Sequence, residues 1–492
     1  MPVRVRLAPS PTGDPHIGLA YTGLVNEALI AQGGGGQLVL RIEDTDQTRS
    51  TRASEENIYS SLRWLGFQWH EGPDVGGPHG PYRQTERREI YHKYAAQLVE
   101  KGHAFTCFCT PQRLETMRTL QRKTGKKPMY DGHCLNLKAE DIAARKAAGE
   151  PHVLRMKIPT SGMCTFTDGI YGEVSIPWAD VDMQVIMKAD GLPTYHLAVV
   201  VDDHLMGITH IVRGEEWLPS TPKHLKLYEY FGWQMPPIMH LPVLRNLDRT
   251  KLSKRKNHTS IRWFQGQGYL PQAIINFLGQ SFVRTAEGEE EIMTRENFHQ
   301  RFTPDVVSKA GAVFDLGKLE WFNGRWLREK LSEDDYLAHV QRWAAERNRL
   351  KQGLLLARSR ITKFSDLPQW VGPLFSGSLA LTAADFAHLK TTPAQTASIL
   401  QAALHVVEKQ QAFTAATLWD DLKALETTLG IKARLITAPL FVAIGGKAQG
   451  LPLTESMELL GSALCRDRLK QALALFSTPE EPTETATPDA EE

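Results

Sequence analysis

Residues 3–18 read VRVRLAPSPTGDPHIG. Val3, Val5 and Leu7 alternate with Arg4 and Arg6, the period of a short strand, and a Pro/Gly-rich stretch then leads into an apolar run from about Ile17 to Ala31. This is a strand, a loop and the start of a helix. QLVLRI at 37–42 reads as a second strand, so the chain opens with a βαβ unit and the expected sheet is parallel and of Rossmann type. The exposed N–H groups at such a helix start attract phosphate. His16 beside them is able to donate to the same oxygens, and Gly18 lets a flat ring such as adenine lie close to the backbone. Arg6, taken alone, reads as a solvent-facing strand residue.

Outward from this unit, β-like runs recur at 195–201 (YHLAVVV), 208–213 (ITHIVR) and 238–244 (IMHLPVL), with amphipathic stretches such as 86–101 between them. An insertion over roughly 83–190 interrupts the sheet. From Leu331 the pattern turns helical. Thr392-Pro393 and Thr414 are helix starts, and Leu418, Leu422, Leu425 and Leu429 follow at helical spacing before Gly430, a C′ residue. The final STPEEPTETATPDAEE carries six acids, no base and three Pro, the composition of a disordered tail.

The 492 residues suffice for about three domains. Apolar residues at 42% and charged residues at 23% are ordinary for a soluble globular protein. No apolar stretch is long enough to span a bilayer, and MPVRVRLAPSPTG lacks the apolar core of a signal peptide, so a cytoplasmic location is expected. The balance of 57 Lys+Arg against 56 Asp+Glu argues against a protein that coats nucleic acid. Without the tail, residues 1–476 hold 57 bases and 50 acids, a formal +7 that is compatible with an RNA substrate gripped and released.

Far downstream lies Lys251-Leu252-Ser253-Lys254-Arg255, whose two lysines on a flexible loop suit the other side of a triphosphate. Together the segments RLAPSPTGDPHIGLAYT, RIEDTD, EGPDVGGPHGPYRQTER, PTYHLAVVVDDHLMGITHIVRGEEW and KLSKRK resemble the bacterial glutamyl-tRNA synthetases. Weaker matches extend the resemblance from residue 3 to about 476. These are class I enzymes with a split Rossmann catalytic domain and two signatures, HIGH and KMSKS. The chain departs from them at Leu19, Leu252 and Arg255.

The resemblance implies an α/β split Rossmann domain (1–82 and 191–250) and an α+β acceptor-stem-binding insertion (83–190). It also implies a stem-contact region carrying the lysine loop (251–321) and an all-α anticodon-binding domain (322–476). The implied activity is ligation of L-glutamate to tRNA(Glu) at the expense of ATP, through glutamyl adenylate, by a monomer. The alternatives are a non-discriminating form that also charges tRNA(Gln), and a glutaminyl-tRNA synthetase. The latter family carries β-barrels where 331–476 reads as helices. His16, Gly18, Lys251 and Lys254 would serve the chemistry, and Thr12, Glu216, Trp217 and Leu244 would join them around ATP, with Mg²⁺ carried by the triphosphate. Arg213 would read the substrate's side-chain carboxylate, aided by Arg6. Glu43 would take the ammonium, and Ser10 and Tyr195 would complete the pocket. From spacing alone Glu43, Asp44 and Asp46 also fit a capped strand end.

Cys107-x-Cys109 with Cys134 resembles the zinc knuckle of some glutamyl-tRNA synthetases. The family's fourth position is Asn136 here, which leaves His133 or water as substitutes, or a site decayed to free thiols. Cys164 and Cys465 are expected in the core. Lys351, Arg358 and Arg360 suit either an unstacked anticodon base or a solvated helix face. Gly33–Gly36 follows a helix and precedes a strand, the wrong end of the unit for a phosphate cradle, and reads as a turn. Gly445-Gly446-Lys447-Ala448 lacks the remaining P-loop residues and reads as a loop.

Overall fold

The computed structural model describes residues 2–250, 252, 259–283, 290–345 and 348–476. Lys251, Lys254 and the acidic tail lie outside them. The chain divides into two compact units, one taking in residues to Ile261 plus Leu270–Lys330, the other Arg262–Tyr269 plus the chain from Leu331.

In the first unit, β1 (Val3–Leu7), α1 (Ile17–Gln32) and β2 (Gly36–Leu40) form the expected βαβ opening. β1 and β2 pair in parallel, with Val3 opposite Gly36 and Leu7 opposite Leu40. Gly34 and Gly35 have φ of 74° and 118°, a region costly for residues with a Cβ, so these glycines make the tight return into β2. They form a turn, as the order of elements required.

After α2 (Arg52–Trp64), the chain builds an antiparallel three-stranded sheet. α3 (Arg88–Glu100) precedes β3 (Ala104–Cys107), α4 (Pro111–Lys123), α5 (Ala139–Ala147) and β4 (Val153–Met156). The strand order is β3, β4, then β7 (Val185–Met187), with the hairpin β5 (Met163–Asp168) and β6 (Gly172–Pro177) leaving to another sheet. α6 (Tyr195–Leu205), β8 (Ile211–Gly214), α7 (Thr221–Phe231) and β9 (Ile238–Leu241) return to the parallel framework. β8 and β9 are parallel, β9 meets β5, and the Thr209 amide donates to the Arg4 carbonyl at 2.8 Å, laying the approach to β8 beside β1.

Residues 195–201, which read as a strand, are helical. Every residue from His196 to Asp203 is buried, so the segment has no polar face to show a helical period, and its three valines imitate a buried strand. Tertiary burial here overrides the β preference of valine. The other two runs hold strands, at 211–214, one residue beyond the expected end, and at 238–241.

α8 (Ile261–Gln267) leads into the second unit, while α9 (Pro271–Gln280), α10 (Arg295–Arg301) and α11 (Leu316–Arg325) belong to the first. α12 (Glu333–Ala345), α13 (Arg349–Ala357), α14 (Leu367–Phe375), α15 (Pro393–Lys409) and α16 (Ala415–Leu429) follow. α17 (Ala433–Gly445), α18 (Leu453–Leu460) and α19 (Ser462–Ala474) complete the described chain, and no described residue after 331 is in a strand. Thr392 and Thr414 cap α15 and α16 as their sequence positions required, each accepting from the amide three residues on. Gly430 ends α16 in the left-handed region at φ 64°. Leu418, Leu422 and Leu425 pack with Ile399, Leu440, Met457 and Leu469 into one core. Gly446 ends α17, so the 445–448 glycines are a helix end. Among the described residues, no helix is long and apolar enough to cross a membrane.

Candidate active site

The carboxyl ends of β1, β2, β8 and β9 open on two adjoining cavities, where open parallel sheets place ligands. The larger, about 470 Å³, is lined by Thr12, His16, Gly18, Glu216, Leu244 and Leu252 among others. The smaller, about 220 Å³, is lined by Arg6, Glu43, Tyr195, Arg213 and Trp217. Ser10, Leu19, Thr22 and Gly214 line both.

At the larger cavity His16 caps α1. Its Nδ1 accepts the Gly18 amide at 3.0 Å, so the neutral ring carries its proton on Nε2. A Cβ on Gly18 would stand 3.2 Å from that Nδ1, so a larger residue would crowd the cap. Both described flanks of the lysine loop reach this region. The Leu252 amide donates to the Leu244 carbonyl at 3.0 Å, and Thr259 and Ile261 bond to Ile17 and Pro15 at 2.7 and 3.0 Å.

At the smaller cavity Arg213 is only 7% exposed, and all five of its N–H groups meet neutral acceptors. Nε donates to His240 Nε2 at 3.0 Å. One terminal nitrogen donates to His224 Nδ1 at 2.8 Å and Tyr195 Oη at 3.3 Å, the other to Thr221 Oγ1 at 3.0 Å and the Trp217 carbonyl at 3.4 Å. Among the described residues no carboxylate lies within ion-pair distance of it. The Tyr195 and Trp217 rings pack with centroids 4.0 Å apart. Trp217 lines the smaller cavity, beside Glu216 on the wall of the larger one.

Arg6 is 4% exposed, not solvent-facing: its Nε donates to Asp203 at 3.0 Å and a terminal nitrogen to the Val212 carbonyl at 2.8 Å. A strand covered on both faces does not announce its burial through alternation. Glu43 accepts from Arg41 at 3.3 Å. Burial pushes its carboxyl up to about 7, against the pull of Arg41 and Arg6. Asp44 instead accepts from Thr85, and Asp46 from Thr48 and Arg49, so of the RIEDTD acids Glu43 alone reaches the cavity.

The sequence reading missed Asp168, Thr221, His224 and His240, which lie 45 or fewer residues from Arg213 but in no shared motif. His240 stands inside the run IMHLPVL, where nothing but its single polar position hints at a role.

The Sγ atoms of Cys107, Cys109 and Cys134 all lie within 4.8 Å of one another. Cys109 and Cys134 are 3.6 Å apart, near the roughly 3.8 Å expected between thiolates on a tetrahedral zinc. Tyr130 Oη stands 3.4 Å from Cys107 Sγ and 3.6 Å from Cys109 Sγ, and accepts the Cys134 amide at 2.8 Å. His133 is exposed and outside the cluster. Cys164 and Cys465 are buried singly, as expected. Lys351, Arg358 and Arg360 are exposed on and just after α13 in the helical unit.

The family model for class I tRNA synthetases (E and Q), catalytic domain, matches residues 2–321, and an anticodon binding domain model matches residues 335–473. The chain is 55% identical to the glutamate–tRNA ligase of Agrobacterium fabrum, covering 97% of this chain and 98% of that one. It is 51% identical to the glutamate–tRNA ligase of Pseudomonas aeruginosa, covering 96% and 95%. The crystal structure of a glutamate tRNA ligase from Elizabethkingia meningosepticum in complex with its amino acid matches with a TM-score of 0.65 at 30% identity, covering 97% of this chain and all of that one.

Proposed function

The chain belongs to the class I tRNA synthetases of the E and Q type, and on that premise we propose that it is a glutamate–tRNA ligase acting as a cytoplasmic monomer. The observation that carries the choice of glutamate is Arg213, a buried guanidinium on a cavity wall with no carboxylate partner among the described residues. A buried cation without a counter-ion is costly, and a substrate carboxylate removes that cost where an amide does not. Glu43 takes the substrate ammonium, and Ser10 and Tyr195 complete the pocket.

In this reading ATP, as its Mg²⁺ complex, occupies the larger cavity. The α1 amides and the His16 Nε2–H hold its phosphates, Thr12, Glu216 and Leu244 surround the nucleoside, and Gly18 keeps the approach open. Lys251 and Lys254, outside the described residues, take the far side of the triphosphate by family resemblance. That Ser10 and Gly214 line both cavities supports binding of the two ligands side by side, with the substrate's α-carboxylate toward the α-phosphorus. That carboxylate is already ionised, so its attack needs no general base, only alignment and stabilisation of charge on the phosphoryl oxygens. The adenylate then passes its acyl group to a ribose hydroxyl of the tRNA 3′ end. Residues 83–190 and 251–321 grip the acceptor arm, and 322–476 the anticodon.

The thiols fit zinc in number and spacing. Cys107, Cys109 and Cys134 would hold it, with Tyr130 Oη as the oxygen donor in place of Asn136 or His133. Zinc there would brace the insertion. Metal analysis of purified protein should find about one zinc per chain, lost in Cys134→Ser.

Pyrophosphate exchange with L-glutamate and ATP, with and without tRNA, tests the activity. Exchange that depends on glutamine, or none under any condition, would sink it. Charging of tRNA(Glu) and tRNA(Gln) separately, at stated salt, sets the tRNA range.

A further inference from the structure

Behind Arg213 lies a chain of buried side chains that touches no ligand space. Arginine has only donors, so the direction of each bond in this chain is determined. His240 Nε2 must accept from Arg213, which puts its proton on Nδ1, and Nδ1–H donates to Asp168 Oδ2 at 2.6 Å. Asp168 Oδ1 is held by the Ile170 and Tyr171 amides, both at 2.9 Å. His224 Nδ1 must likewise accept, so its Nε2–H donates to His196 Nδ1 at 3.0 Å.

The lengths of the five Arg213 bonds divide by location. The three bonds of 2.8–3.0 Å go to His224, His240 and Thr221, none of which lines the cavity. The two of 3.3 and 3.4 Å go to Tyr195 and Trp217, which do. The guanidinium is therefore clamped from behind by acceptors that bring no negative charge, and its two loosest N–H groups face the ligand space.

We propose that His224 and His240, the latter oriented by Asp168, are positioning residues that aim Arg213 and leave its charge uncancelled, and so set the preference for an anionic over an amide side chain. The inference rests on the glutamate reading of this pocket. Burial, reinforced by the charge of Arg213, keeps His224 well below the usual imidazole range, and burial with the same charge pulls His240 down despite Asp168, so both stay neutral acceptors. A carboxylate in place of either imidazole would neutralise the guanidinium and erase its need for a ligand anion.

Asp168→Asn breaks the orientation while conserving shape. With the amide oxygen kept by the Ile170 and Tyr171 N–H groups, its NH₂ faces His240 Nδ1, favours the other tautomer and turns an N–H toward Arg213. His240→Phe removes the acceptor, while His240→Gln restores an acceptor near the Nε2 position. KM for L-glutamate in tRNA charging should rise roughly tenfold or more in Asp168→Asn and His240→Phe, the range seen when orienting partners are lost. KM for ATP should stay within about twofold, selectivity for glutamate over glutamine should fall, and His240→Gln should recover most of both. If Asp168→Asn does not fold, by circular dichroism, the His240→Phe and His240→Gln pair decides. Unchanged KM and selectivity, or a parallel rise in both KM values without recovery in His240→Gln, would overturn the proposal. A parent protein that charges no glutamate overturns the pocket reading and this inference with it. A parent that charges normally beside unaffected variants overturns this inference alone.

Discussion

Arg41 and Arg213 are both buried guanidiniums at the carboxyl ends of the parallel strands, but their partners differ in kind. Arg41 is fully buried and lies 2.8 Å from Asp203, 3.3 Å from Glu43 and 3.6 Å from Asp202. Arg213 is surrounded by imidazoles, hydroxyls and a carbonyl. The first is neutralised within the fold and ties β2 to the end of α6. The second keeps its charge without a carboxylate partner among the described residues, on the wall of a cavity. Arg468 of the helical unit shows that lacking an ion-paired carboxylate among the described residues is not enough: it donates to the backbone carbonyls of Gly377, Ile444, Pro373 and Ser376, and serves to join helices. What marks Arg213 is a cavity on one side and neutral acceptors on the other.

Exchanging the roles is the strongest way to break this comparison. Arg213→Ala should lower kcat/KM for glutamate by roughly a thousandfold or more, since a site built around a charge-assisted bidentate contact loses its main selective interaction. The cost to stability should be only a few kcal/mol, because about 1–3 kcal/mol for each buried acceptor left unpaired is offset by removal of a buried cation that has no carboxylate partner among the described residues. Steady-state charging alongside urea unfolding measures both. A large stability loss with little change in glutamate kinetics would make Arg213 a structural residue.

Arg41→Met should do the reverse. It leaves Asp202 and Asp203 short of a cation, and the unfolding free energy should fall by about 3–5 kcal/mol. Arg87, whose Nε reaches Asp202 at 2.8 Å, and Arg6, on Asp203, soften the loss.

Glu43 touches both regions, paired with Arg41 and lining the ligand space of Arg213. Its folded-state value is raised to about 7 by burial, so the protonated form prevails below that pH and the ionised form above it. An ammonium is held by the ionised form. L-glutamate affinity, read by calorimetry, should therefore fall as pH drops from 8 to 6, by up to about tenfold per unit well below the titration point, and Glu43→Gln should flatten the profile. A flat profile in the parent would remove Glu43 from ammonium binding.

The exposed arginines form a third class. Arg358→Ala, in the helical unit, should raise KM for tRNA only a few-fold, less at high salt, with KM for glutamate unchanged. No change in KM for tRNA assigns Arg358 to the solvated face.

The βαβ opening, the helical C-terminal unit, the caps at Thr392 and Thr414 and the turn at Gly33–Gly36 were legible because each depends on neighbours in sequence: alternation, capping side chains, glycine φ. Helix α6 was misread because a segment buried on every side has no periodicity to display. Alternation alone would have left Arg6 facing solvent, because a strand within a covered sheet hides its polar residues, and only the resemblance placed it at the pocket that it lines.

The amino-acid order alone determined the class of fold and, through motifs that resemble a known family, most of the residues that line the two cavities. Tertiary structure decided the environment that makes those residues selective. Asp168, Thr221, His224 and His240 reach Arg213 from separate elements, and each is an ordinary polar residue until folding excludes water and leaves it one partner. Hydrogen bonds strengthen and charges become costly only in that dry interior, and no run of sequence states which side chains will share it.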